Sequence, residues 1–102
     1  MSFYGRQGTI VAKAGQREAL AAILLGSVRA DAMPGCRLYL IGASEADGDA
    51  LLITEVWDNA DAHKASLAVP AVREAIGRAM PLIERVGGDG MVVLAGFGDA
   101  SG

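Results

Sequence analysis

The chemistry open to this chain is concentrated in one segment, Glu55-Val56-Trp57-Asp58-Asn59-Ala60-Asp61-Ala62-His63-Lys64-Ala65-Ser66. It holds the only Trp and the only His of the 102 residues. Histidine titrates near neutrality and is the usual general base. On a helix His63 and Ser66, three apart, share one side. On a strand Glu55 and Trp57, two apart, share one face. Glu55 is then either a partner for Lys64 or an arginine, or a carboxylate that orients His63 or works beside it as a second acid–base group. Trp57 is either a core aromatic or a flat wall for an aromatic ligand. His63 is either a general base or an ordinary helical histidine. Tyr39 and Tyr4 could each hydrogen-bond a phenol, and both are also ordinary strand residues.

Other chemistries lack their signatures. Ser66 has no Gly-x-Ser-x-Gly elbow around it, so a hydrolase nucleophile is not expected. One His and one Cys cannot build a zinc site of the usual kind. Asp47-Gly48-Asp49 is too short for a calcium loop. There is no phosphate loop and no dinucleotide fingerprint. Cys36 reads as a small hydrophobe. No metal ligand set and no cofactor motif is expected.

The elements that must position these residues follow from periodicity. Phe3 to Ala12 reads as a strand. Leu20, Ile23, Leu24 and Val28 recur at helical spacing within a helix from about Gln16 to Ala32, which Pro34-Gly35 stops. Cys36 to Ala43 is a second strand, with Leu38 and Leu40 on one face and Arg37, Tyr39 and Ile41 on the other. Leu51 to Trp57 is a third. Asp58 or Asn59 offers an N-cap to a helical region from about Ala60 to Val86, bent or broken by Pro70 and Pro81. Its apolar side continues through Val72, Ile76, Ala79, Met80 and Ile83. Gly87-Gly88-Asp89-Gly90 reads as a flexible joint, Met91 to Phe97 as a last strand and Gly98 to Gly102 as a frayed tail. This strand–helix–strand–strand–helix–strand order is that of the ferredoxin-like α+β sandwich. The second and third strands carry apolar residues on both faces, and two helices cover only one. A second copy of the chain, sheet against sheet, is the simplest cover, which predicts a homodimer.

Composition sets the outer bounds. A chain of 102 residues with 52% hydrophobic and 21% charged residues reads as one globular domain, able to hide roughly 65% of its unfolded surface. The net charge of −3 and the scatter of Lys and Arg give no clustered footprint for nucleic acid. No apolar run approaches the ~20 residues that cross a bilayer. A lone Cys and the lack of a signal-peptide run predict a cytoplasmic protein without membrane contact.

Residues 8 to 85 resemble the antibiotic biosynthesis monooxygenase domain, a dimeric α+β barrel of the ferredoxin-like group. The resemblance rests on Ala14-Gly15-Gln16-Arg17-Glu18-Ala19-Leu20 and Met33-Pro34-Gly35-Cys36, then Glu55-Val56-Trp57 with His63 and Ser66 downstream. It implies oxidation of quinols, anthrone-like polyketides or related phenols by molecular oxygen, without metal or flavin. It makes His63 the base, Trp57 the ring wall, and Tyr39 or Ser66 a hydrogen-bond partner of the substrate oxygen. Haem-degrading relatives have a His ten residues after the Trp and an Asn on the first strand. Leu67 stands at the first position and no Asn lies on the first strand, so haem degradation is not implied. On the same fold, a non-catalytic dimeric module that binds a small aromatic ligand is the alternative.

Overall fold

The computed structural model describes residues 2–27 and 33–95. Their elements are β1 (Tyr4–Ala12), α1 (Arg17–Ser27), β2 (Cys36–Ala43), β3 (Ala50–Trp57), α2 (Ala60–Ser66), α3 (Pro70–Ala79), a 3₁₀ turn (Met80–Leu82) and β4 (Ile83–Val92). The strands form one antiparallel sheet in the order β2-β3-β1-β4. This is the ferredoxin-like α+β fold. Among the described residues no helix is long and apolar enough to cross a membrane.

The turns that separate the elements are chemically explicit. Gly15 and Gly35 take the left-handed backbone region, at φ 76° and 84°, where only glycine is free of Cβ strain. Pro70 sits in the first turn of α3, where a missing N–H costs nothing. The expected stretch of α1 beyond Ser27, with Val28, lies outside the described residues, as do Gly96, Phe97 and the Gly98–Gly102 tail.

The second half of the chain departs from the sequence expectation. The helical region ends at Ala79, and Pro81 lies in the 3₁₀ turn. Ile83 to Val86 are strand, and so is the whole of Gly87-Gly88-Asp89-Gly90. The last strand therefore starts eight residues before Met91. Its pairing with β1 explains the glycines. A Cβ on Gly8 would stand 2.6 Å from the Gly87 carbonyl oxygen, and one on Gly88 2.7 Å from the Gln7 carbonyl oxygen. At Gly8 and Gly88 the two backbones approach so closely that a side chain is excluded, and the run of glycines in β4 erases the alternation that marks a strand. The buried side of α3 differs in part: Ala79 is buried as expected, Ala75 is buried beside it, and Ile76 and Met80 are exposed.

The core lies between the helices and one face of the sheet, around Ala12, Leu20, Leu51, Ile53 and Ala79. Alternation along β3 puts Glu55 and Trp57 on that same face. The opposite face carries Leu40 and Leu52, about half exposed at 58% and 48%. A bulge in β2 sets its phase. Cys36 pairs with Trp57 and Leu38 with the adjacent Val56, so Arg37 has no place in the ladder. The Arg37 guanidinium instead reaches Asp58 at 2.6 Å and stacks over Phe3.

Candidate functional site

The polar groups of the helix-side face fall on one rung of the sheet. Tyr39 pairs with Glu55 across β2 and β3, and Glu55 pairs with Arg6 across β3 and β1. The next rung toward the C-terminal end of β3 is aromatic, with Trp57 opposite Tyr4. The rung on the other side is apolar, with Ile41, Ile53, Gly8 and Gly88. A base, a cation and a phenol thus stand in one row between an aromatic bank and a bank with no side chain at two of its positions.

The strand–turn–helix segment brings His63 onto this row. Asn59 caps α2, its side chain accepting from the Ala62 N–H at 2.7 Å. The Asp58 N–H donates to the Gly35 carbonyl at 2.8 Å. A Cβ on Gly35 would come within 2.9 Å of the Ala62 Cβ, so the turn before β2 lies directly against α2. Held at its N-terminal end, α2 lays the His63 ring edge-on to Trp57, with centroids 5.5 Å apart, and 6.0 Å from the Tyr4 ring.

Glu55 joins these groups. Its Oε1 accepts from Trp57 Nε1 at 3.0 Å, and the same oxygen lies 4.0 Å from His63 Nε2. The first distance is a hydrogen bond and the second an electrostatic contact. Trp57 is fully buried, so an indole N–H there needs a partner, and Glu55 supplies it. Burial pulls His63 below its ordinary range. The Glu55 carboxylate acts against that fall and the Arg6 guanidinium adds to it. A neutral imidazole at neutral pH is in the form that accepts a proton.

Tyr39 is pushed up to about 12, by burial first and then by the charge of Glu55 and by Cys36. It keeps its proton and is a donor. Cys36 is also raised, again by burial foremost, which suits a small hydrophobe and not a nucleophile.

A cavity of about 400 Å³ opens along this row, lined by Arg6, Gly8, Ile10, Tyr39, Ile53 and Glu55, with Val86, Gly87 and Gly88 on its β4 side. Glu55 and Tyr39 therefore face it. Trp57 and His63 stand behind Glu55 and are not part of the lining. Ser66 is buried on the far turn of α2, and its hydroxyl donates to the His63 carbonyl at 2.6 Å. That bond commits its proton to the helix and leaves only its lone pairs for a ligand. Among the described residues no three His, Cys, Asp or Glu side chains gather as a metal site requires.

Sequence reasoning did not find Arg6. Its neighbours in β1 are a Tyr, a Gln and two Gly, and nothing local marks it. The available signal was its place as an arginine inside a strand that ends in Ile10-Val11-Ala12.

Comparison with known proteins bears on the family and the fold. The sequence model of the family described as antibiotic biosynthesis monooxygenase matches residues 4–78. A solved structure from Chloroflexus aurantiacus, provisionally named an antibiotic biosynthesis monooxygenase, is 43% identical with a TM-score of 0.90, over 95% of this chain and 98% of that one. Another of that provisional name, from Deinococcus radiodurans, is 27% identical with a TM-score of 0.78, over 93% and 96%. A third, from Nitrosomonas europaea, shares the fold at 15% identity and a TM-score of 0.84, over 94% of each chain. No curated protein matches the chain.

Proposed function

The chain belongs to the antibiotic biosynthesis monooxygenase family, and from that premise we propose that it oxidises a quinol, anthrone or polyketide-like phenol with molecular oxygen, without metal or flavin. The observation that carries the reading is the Glu55 carboxylate at the cavity wall, with His63 4.0 Å behind it.

Triplet oxygen reacts slowly with closed-shell organic molecules, and a phenolate or enolate is electron-rich enough to pass it an electron. The protein then has to make the anion, hold it out of water and stabilise its charge. Here His63 is the general base and Glu55 the carboxylate between it and the cavity. The proton leaves the substrate for this pair, and the bonding electrons stay on the substrate. Tyr39 donates to the substrate oxygen. For an anthrone-like methylene the reaction closes without a further reductant: the carbon loses two hydrogens and gains one oxygen atom, and the second oxygen atom leaves as water. All four electrons come from the substrate. Trp57 contributes less as a ring wall than as the donor that fixes Glu55.

The homodimer is part of the same reading. Leu40 and Leu52 lie on the face that no helix covers, beside a depression of about 670 Å³ lined by Gln7, Thr9, Leu52, Thr54, Asp89 and Met91 among others. A second copy set sheet to sheet would bury that face.

Oxygen uptake with anthrone or a hydroquinone, in the presence of a chelator, tests the function. The native chain should consume oxygen above the uncatalysed rate. His63→Ala and Glu55→Gln should each lose about 10²-fold or more, the usual worth of a positioned acid or base. Full activity in His63→Ala removes it as the base. Binding of aromatic ligands with no uptake by the native chain favours a non-catalytic module.

A further inference from the structure

Arg6 is half-buried, as Arg17 is, whereas Arg37 is exposed, and its partnering differs from both. Arg17 donates to the Ser44 and Asp47 carbonyls, and Arg37 is held by Asp58. Arg6 stands directly opposite Glu55 in the β1–β3 register, where an ion pair would be the ordinary outcome. Yet among the described residues its guanidinium is in no ion pair. Its one side-chain bond is to the Tyr4 hydroxyl, at 3.0 Å. Glu55 is turned instead toward Trp57 and His63. A guanidinium has five N–H donors, so several remain free beside the cavity that Arg6 helps to line.

We propose that Arg6 is the anion-binding residue of this cavity, and that the cavity takes a flat aromatic molecule bearing an oxyanion, either a carboxylate or the phenolate formed on deprotonation. The floor beneath such a ring is apolar or bare: Ile10, Ile53, Gly8 and Gly88. The rung itself separates the two tasks. Glu55 and His63 receive a proton at one position, and Arg6 holds negative oxygen beside it on the next strand. The proton-receiving half of this division rests on the proposed oxygenation; the binding half does not.

The probe is 2-naphthoate, with naphthalene-2-carboxamide as its neutral counterpart, both titrated by calorimetry. A charge-assisted bond is worth about 1.5–3 kcal/mol, so the native chain should prefer the carboxylate by roughly 10- to 100-fold. Arg6→Gln should bring the two affinities close to each other while leaving the carboxamide nearly unchanged. Carboxamide binding in that variant also reports that it is folded. In the native chain, naphthoate should shift the Nε–Hε resonance of Arg6 and leave that of Arg37 in place, a readout that needs no variant. Equal binding of the two probes, no binding of naphthoate at millimolar concentration, or an unmoved Arg6 resonance overturns the proposal. Naphthoate binding through Arg6 with no oxygen uptake from any quinol or anthrone would retire the oxygenase reading and keep the anion site.

Discussion

The indole Nε1 of Trp57 donates to Oε1 of Glu55, the oxygen that also faces His63. The buried ring thus does more than fill space. It pins one carboxylate oxygen between two rungs and leaves the cavity side of Glu55 open. Trp57→Phe keeps an aromatic of similar shape and deletes the donor. Stability should fall by about 2 kcal/mol, the loss of a bond to a charged acceptor plus a small void. The turnover number should fall about tenfold with KM little changed. Urea denaturation and oxygen uptake measure the two, and an unchanged turnover number would show that Glu55 needs no such anchor.

Acid should act on His63 twice. Its pKa in the folded protein lies below its ordinary 6.5, so the unfolded chain binds more protons between the two values. Stability from this group is therefore complete above about pH 6.5 and is lost as pH falls through the folded value. The activity should rise over the same acid range as the base is freed, and level off near neutrality. His63→Gln should flatten the fall in Tm on acidification. A fall in Tm as steep in the variant as in the native chain would assign the acid sensitivity to other groups.

The glycines where β1 meets β4 should not be equivalent. A Cβ on Gly8 or Gly88 would meet backbone oxygen at 2.6 or 2.7 Å, whereas one on Gly87 meets nothing within 4 Å. Gly8→Ala and Gly88→Ala should each cost about 1–3 kcal/mol as overpacking. Gly87→Ala should stay within about 0.5 kcal/mol of the native chain. Thermal denaturation of the three decides it, and equal effects would contradict the close approach of β1 and β4.

The uncovered sheet face predicts an oligomer. Leu52→Glu places a charge at the centre of that face, so a sheet-to-sheet dimer should dissociate while the fold persists. Sedimentation velocity on the native chain should show two copies, and on the variant one, with circular dichroism unchanged. A native chain that sediments as a monomer would refute the proposed assembly.

Legibility from sequence followed the distance over which each signal acts. β1, α1, β2 and β3 could be read because their alternation, or helical spacing, is closed off by Gly15, Pro34-Gly35 and the polar Ser44–Asp49 turn. β4 could not. Its identity comes from pairing with β1, and the glycines that permit the pairing remove the periodic signal. The site divides in the same way. Glu55, Trp57 and His63 belong to one strand, turn and helix, and their spacing announces them. Tyr39 was noticed for its chemistry, but its place beside Glu55 comes from register. Arg6 stands opposite Glu55 only because β1 pairs with β3, a non-local fact that no window of sequence contains. Ser66 has the right spacing from His63, and that very spacing lets its hydroxyl bond the His63 carbonyl.

The β2 bulge makes one change of chain length tolerable where others would be ruinous. Side chains alternate faces along a strand, so losing Leu40 from the regular part of β2 would turn Ile41 away from the face that Tyr39 holds. Arg37 already lies outside the ladder, with Cys36 opposite Trp57 and Leu38 opposite Val56. Deleting it would leave a regular strand with Tyr39 still beside Glu55, at the expense of the Asp58 ion pair and the Phe3 stack. Arg37 is thus a spacer in the arithmetic of the sheet, and the parity of every position after it does not depend on its presence.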